Sequence, residues 1–225
     1  MIPLRDNVPT KNFPFINWLL IGLNIYFFYI ELNIGSSARL EHYILHWGIV
    51  PKILFSNLYQ HAYTLVTATF LHGGWLHILS NMLFLHIFGD NVEDRMGHFR
   101  YFFFYILAGI LSNWTQAYFS PASTVPLIGA SGAISGVLGA YFFYYPHAKV
   151  DTLIPVFFFI TIRPIPAFIF LGYWFILQTL NSTFSITSMA SRSSMGGIAF
   201  IAHASGFVSG LILAPAFGRK EGRFK

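Results

Sequence analysis

Apolar runs recur along the chain at lengths suited to membrane-crossing helices, separated by short polar or Pro/Gly-bearing breaks. Residues 13–30 predict a first span, although Asn17 and Asn24 interrupt it. The stretch 31–63 is less apolar, carries Gly35, Ser36, Ser37 and Pro51, and reads as a long, semi-buried connecting loop. Two further spans are predicted at 75–88 and 99–119, separated by the mixed-charge cluster GDNVEDRMGHFR, which is expected to face water. SPASTVP breaks the chain, a fourth span follows at 127–145, and Pro146 ends it before the polar turn PHAKVD. Residues 152–162 are apolar, but Pro155, Arg163, Pro164 and Pro166 break the pattern, so an interfacial piece is expected before a fifth span at 167–180. The Ser/Thr-rich NSTFSITSMASRSSMGG leads to a sixth span at 198–217, and GRKEGRFK closes the chain. The expected fold class is therefore an all-α membrane protein. It comprises an N-terminal segment 1–12, a six-helix bundle 13–217 with a long, semi-buried first loop, and a basic tail 218–225.

Composition turns this pattern into a statement about solvent. Hydrophobic residues make up 55% of the 225 and charged residues 9%, against roughly 25% charged in soluble domains. With 26 Phe alone, the apolar surface exceeds what a water-soluble fold of this size hides, so lipid must solvate much of it. The net charge of +5 does not indicate nucleic acid, because the basic residues sit at segment ends rather than among aromatics on one face. With no cysteine, disulfides and thiolate chemistry are excluded. The opening MIPLRDNVPTKNFPF has neither a cleavable-signal pattern nor an Arg-rich, acid-poor presequence, so the first span is expected to be retained and the membrane to be a prokaryotic plasma membrane. Placing both termini inside puts ten Lys/Arg on inner segments and leaves Arg39, Lys52 and Arg192 outside, which favours cytoplasmic termini.

Spans two, four and six then run in the same direction, with their first turns near the outer face. Those turns carry the polar residues. His77 and Asn81 sit at i and i+4 in HGGWLHILSN, Ser131 opens the fourth span within GASGAISGVLGA, and His203 lies early in the sixth within IAHASGFVSG. Hydrogen-bonding groups at membrane depth are costly unless partnered, and by default they suggest function. A lone Ser more often packs or bonds back to the carbonyl four residues earlier, and a lone His more often links helices. Convergence at one depth changes that balance. The stripes Gly132, Gly136, Ala140 and Ala202, Gly206, Gly210, Ala214 let helices four and six approach closely. His203 would then come within reach of Ser131. That pairing permits nucleophilic acyl transfer, with His203 taking the Ser131 hydroxyl proton and the first-turn amide, His77 and Asn81 facing a developing oxyanion. None of the eight acids lies at the outer end of these helices, so a Ser-His dyad is expected rather than a triad.

HGGWLHILSNMLF, the GDNVEDRMG segment that fits GxxxExxxG, GASG and AHASGFVSG, in this order, resemble the rhomboid intramembrane serine proteases along essentially the whole chain. The resemblance implies Ser131 as nucleophile, His203 as general base and acid, and His77 and Asn81 with the Ser131 amide as oxyanion stabilisers. It also implies structural roles for Gly89, Glu93, Arg95, Gly97, Gly129, Gly132, Gly206 and Gly210, a water-filled cavity open to the outer face, a long first loop partly embedded in the membrane, and a gate formed by the fifth helix and the loop after it. One departure is Ser135, where family members commonly place an aromatic ring against the catalytic histidine. Ser131 has the glycine at i−2 and Gly132 after it, while Ser135 has Ala133 at i−2, so Ser135 reads as a packing residue. Substrates are expected to be membrane proteins with a segment able to unwind, in contact with the lipid bilayer. No cofactor, metal or nucleic acid is expected, since neither HExxH nor a convergent His/carboxylate set appears. An inactive rhomboid-like binding protein and a proton-coupled transporter are the alternative readings, the latter disfavoured by the lack of an internal repeat.

Overall fold

In the computed structural model, residues 1–156, 159–187 and 200–219 are described. Helix α1 (Phe15–Leu32) is followed by four short helices, α2 (Ser37–Trp47), α3 (Pro51–Ser56), α4 (Leu58–His61) and α5 (Thr64–Thr67), and a 3₁₀ turn at Ala68–Phe70. Then come α6 (Trp75–Met96), α7 (His98–Phe119) and α8 (Ser131–Tyr144). Strands β1 (Ile2–Asp6), β2 (Lys149–Val156) and β3 (Phe159–Pro166) form a sheet, and α9 (Ala167–Thr187) and α10 (Phe200–Phe217) complete the fold. Helices α1 and α10 are each 18 residues long and apolar enough to cross a membrane; at 1.5 Å per residue that length approaches the ~30 Å hydrocarbon core.

Helix α8 is the axis of the bundle. Every residue from Gly132 to Tyr141 is buried, in a core shared with Leu85 and Phe88 of α6, Tyr101 and Phe104 of α7, Phe170 of α9 and Phe207 of α10. Large apolar side chains on the periphery stay outward, Leu76 and Phe99 among them, as expected of a surface solvated by lipid. Both asparagines that interrupt the first apolar run are buried, and Asn17 ties α1 to α6 and α7. Asn17 donates to the Leu85 carbonyl at 3.0 Å and accepts the Tyr101 hydroxyl at 2.8 Å, while Asn24 bonds back to the Leu20 carbonyl at 2.7 Å. Pairing of this kind is what lets polar groups sit where water is scarce.

Three sequence expectations are corrected. The segment GDNVEDRM does not form an interhelical turn but the last two turns of α6, which stops at Gly97 with φ +82°, a conformation suited to glycine. Nor does all of it face water, for Asn91 and Glu93 are buried. Within 152–162 the described residues 152–156 and 159–162 are strand, so the chain is mostly helical but not all-α. β2 pairs antiparallel with both β1 and β3. Prolines are tolerated because Pro164 and Pro166 lie on the edge strand β3, and Pro155 lies beyond the end of β1, whose pairing stops at Leu153. Helix α9 runs past residue 180 to Thr187, and the long first connection contains the short helices α2, α3 and α4. The remainder of the Ser/Thr-rich stretch, from 188, and the tail from 220 lie outside the described residues.

Candidate active site

Helices α8 and α10 are parallel and in fixed register through their glycines. A Cβ placed on Gly206 would lie 2.2 Å from the Gly132 carbonyl oxygen, and one on Gly210 would lie 1.9 Å from that of Gly136. Both spacings are impossible for a side chain, so the backbones touch at two successive turns. Residue numbers rise together along the two helices, with 206 opposite 132 and 210 opposite 136. His203 therefore lies within about 3 Å, two residues' rise, of the level of Ser131 along the axis. Helix α10 is pinned there from α7, where Ser112 donates to the Ala202 carbonyl at 2.8 Å and the Gln116 side-chain oxygen accepts the Ala202 N–H at 3.0 Å.

Ser131 is the first residue of α8, where backbone N–H groups lack intrahelical acceptors and carry the positive end of the helix dipole. The approach to it is clamped by the first connection. Leu127 and Ile49 exchange both backbone hydrogen bonds, and the Gly129 N–H donates to the Ala68 carbonyl at 2.9 Å. Gly129 has φ +131°, and a Cβ there would stand 2.7 Å from His77 Nε2 and 3.7 Å from Ser131 Oγ. Glycine is thus required twice over, by its backbone angle and by the closeness of the imidazole. The same contact brings His77 and Ser131 to one spot, although they are 54 positions apart in sequence.

The tautomer of His77 follows from its partners. Its Nδ1 accepts the Gly73 N–H at 3.3 Å. An N–H can only donate, so in the neutral ring the proton sits on Nε2, the nitrogen turned toward Gly129 and Ser131. Asn81, one turn further along α6, is buried, and its Nδ2 has no protein partner. A buried unsatisfied donor is uncommon and needs a use. His72 packs its ring 5.1 Å from that of His77 and donates its backbone N–H to the Glu31 carboxylate at 3.1 and 3.2 Å. Burial, with His77 adding a smaller effect, pushes the His72 imidazole down to about 3, so the ring is neutral at ordinary pH. A cavity of about 450 Å³ lined by Glu31, Ser36, Leu40, His72 and Trp75 adjoins His72.

His203 is held from α9, and the sequence reading missed these partners. Its Nδ1 lies 2.9 Å from Gln178 Oε1, and the Trp174 ring packs on it at 5.9 Å with a tilt of 33°. Trp174 and Gln178 stand four apart on one helix face, which was the available signal. Ser135 is buried and its hydroxyl donates to the Ser131 carbonyl at 2.6 Å, the back-bonded packing arrangement. The remaining motif residues lie at the far end of the bundle. Glu93 accepts the N–H groups of Ile16 and Asn17 at 2.9 and 2.7 Å and contacts His98. Gly89 gives way to the Asn17 side chain and Gly97 to the Arg219 guanidinium, and Arg95 lies over the Tyr144 ring at 5.5 Å. No group of three or more His, Cys, Asp or Glu able to hold a metal occurs among the described residues.

A helical bundle with paired Ser and His levels on glycine-stitched helices defines a class that comparison with known proteins makes explicit. A family model for the Rhomboid domain matches residues 59–220, and the chain belongs to the rhomboid family of membrane-embedded helical proteins. It is 36% identical over 111 residues to Rhomboid-like protein 11, chloroplastic, of Arabidopsis thaliana, covering 49% of this chain and 39% of that protein. It is likewise 36% identical over 128 residues to Rhomboid protease GluP of Bacillus subtilis, covering 56% and 24% respectively. Inactive rhomboid protein 1 of Drosophila melanogaster also matches, at 33% over 93 residues, covering 41% of this chain and 6% of that one. The aligned stretch is thus well under half the length of each of these relatives.

Proposed function

We propose that the chain is an intramembrane serine endopeptidase that hydrolyses a peptide bond in or near the transmembrane segment of membrane-protein substrates. The observation that carries this reading is the parallel α8–α10 register, which brings His203 to within about two residues' rise of Ser131, with His77 Nε2 beside Gly129 next to Ser131 and Asn81, one turn further along α6, holding a partnerless Nδ2. Ser131 Oγ attacks the substrate carbonyl carbon as His203 Nε2 takes its proton, and the new oxyanion receives the Ser131 amide, His77 Nε2–H and Asn81 Nδ2–H. Collapse expels the amine, which leaves with the proton from His203. Water then repeats the cycle on the acyl-enzyme and frees Ser131.

In this reading α1, α6, α7, α8, α9 and α10 are six spans, the first connection is partly immersed, the termini are cytoplasmic in a prokaryotic plasma membrane, and the site opens toward the outer face. A helix shields its carbonyls in hydrogen bonds, so substrates carry small or helix-breaking residues at the scissile stretch. Reconstituted protein should cleave such a single-span substrate and lose at least about a thousandfold with either Ser131→Ala or His203→Ala. Cleavage that survives both substitutions sinks the assignment, and a wild type that binds the substrate without cutting it makes the chain a binding relative.

A further inference from the structure

We propose that Gln178 is a positioning residue for the acyl-transfer site, accepting the Nδ1–H of His203 on its side-chain oxygen and so leaving the Nε2 lone pair free for the Ser131 hydroxyl. The inference rests on the protease reading above and deepens it. A neutral imidazole carries one proton on either nitrogen, and only the Nδ1–H form has its base at Nε2. The Nδ1 to Oε1 distance of 2.9 Å is that of a normal N–H···O bond. The two orientations of the Gln178 amide have opposite chemical consequences. With oxygen toward the ring, His203 is a base at Nε2; with nitrogen toward the ring, the imidazole proton is forced onto Nε2 and the general base is lost.

The choice of glutamine follows from the surroundings. A carboxylate would orient the ring equally well, but it brings a full charge to membrane depth, where charge is expensive. A side-chain amide supplies the same acceptor without that cost. Trp174 completes the seat. It lies one turn earlier on the same face of α9 and packs its ring on the imidazole, while Phe175 stacks on Phe207 at 4.9 Å and fixes α9 against α10. The aromatic support for His203 thus comes from α9 rather than from the position four residues after Ser131. Ser135 is free to be small there, and its Cβ packs 3.1 Å from where a Cβ on Gly206 would stand.

The test is ¹⁵N NMR of histidine-labelled full-length protein in detergent, with the His203 signals assigned by their loss in His203→Ala, run beside cleavage kinetics. Wild type should show His203 protonated at Nδ1. Gln178→Leu should shift the ring toward the Nε2–H form and lower kcat by at least about tenfold, the lower bound for losing an outer-shell partner that orients a metal-bound histidine, with KM little changed. Gln178→Glu keeps an acceptor oxygen in place and should retain both the Nδ1–H signature and cleavage. An Nε2–H ring in wild type, or wild-type kcat in Gln178→Leu, overturns the inference while the protease reading stands. A wild type with the Nδ1–H ring that neither labels with a fluorophosphonate nor cleaves overturns the protease reading, and this use of Gln178 with it.

Discussion

At the end of the bundle that carries the sheet, Glu93 receives two amide N–H groups from the start of α1, and Asp94 receives the Lys11 N–H and the Asn12 side chain. Asp90 accepts the Thr10 hydroxyl, Asp6 accepts the Tyr141 hydroxyl and Asn91 Nδ2, and Arg5 pairs with Asp151 at 2.7 Å. At the other end, Asn81 Nδ2 lacks a protein partner and His203 Nδ1 lies against the neutral amide of Gln178. Carboxylates with their donors already in place close one end and tie the N-terminal segment to α6. The site end keeps neutral donors and a base uncommitted. The difference separates two uses of polar groups in a fold largely solvated by lipid. Satisfied groups fix the frame at one end, and in the proposed function the partnerless Asn81 Nδ2 at the other is available to a transition state.

Predictions from this contrast range from loss of the fold to a change near the limit of measurement. Gly210→Val drives a side chain into the Gly136 carbonyl and should leave no folded protein in detergent, as size-exclusion chromatography would report. Glu93→Ala should lower unfolding stability by about 3 kcal/mol or more, since it strands buried N–H donors; an unchanged melting curve would remove the frame from the account. Asn81→Ala should do the reverse, sparing the melting curve while lowering kcat by about a hundredfold or more, as for loss of one oxyanion donor.

A smaller effect is expected at Asp6. Its carboxyl is pushed up to about 6, first by burial and then by the Asp90 charge, with the Tyr141 hydroxyl opposing. A folded-state value raised above the ordinary 3.8 means that the stabilising share is present below about 3.8 and is lost as pH rises through about 6. Wild type should therefore gain stability between pH 7.5 and 5, by on the order of 1 kcal/mol after allowance for partial exposure, and Asp6→Asn should flatten that dependence. Smallest is Ser135→Ala, which should change stability by less than about 1 kcal/mol and leave cleavage near wild type. Ser135→Phe has no room against Gly206 and should abolish cleavage.

Much of the frame was legible because it is written locally. The apolar runs located the long helices to within a few residues at most ends, and the small-residue stripes gave the α8–α10 contact from which the Ser131 and His203 levels follow. The extent of α6 was not legible. Asp90, Glu93 and Asp94 look like a solvated turn until their donors are known, and those donors lie in residues 10–17, about eighty positions away. The hairpin was hidden by Pro155, Pro164 and Pro166, which argue against a strand except at an edge or beyond a neighbour's end, and only tertiary pairing reveals those exceptions. Gln178 was not legible because the usual third member is a carboxylate, and none of the eight acids lies at the outer end of spans two, four or six. The structure supplies an uncharged acceptor from α9.

The most direct test is labelling of detergent-purified protein by a serine-directed fluorophosphonate, comparing wild type with Ser131→Ala, Ser135→Ala and His203→Ala. The account predicts label on wild type and Ser135→Ala, carried on the peptide containing Ser131, and none on Ser131→Ala or His203→Ala. Undiminished labelling of Ser131→Ala, or no label on a folded wild type, would contradict it.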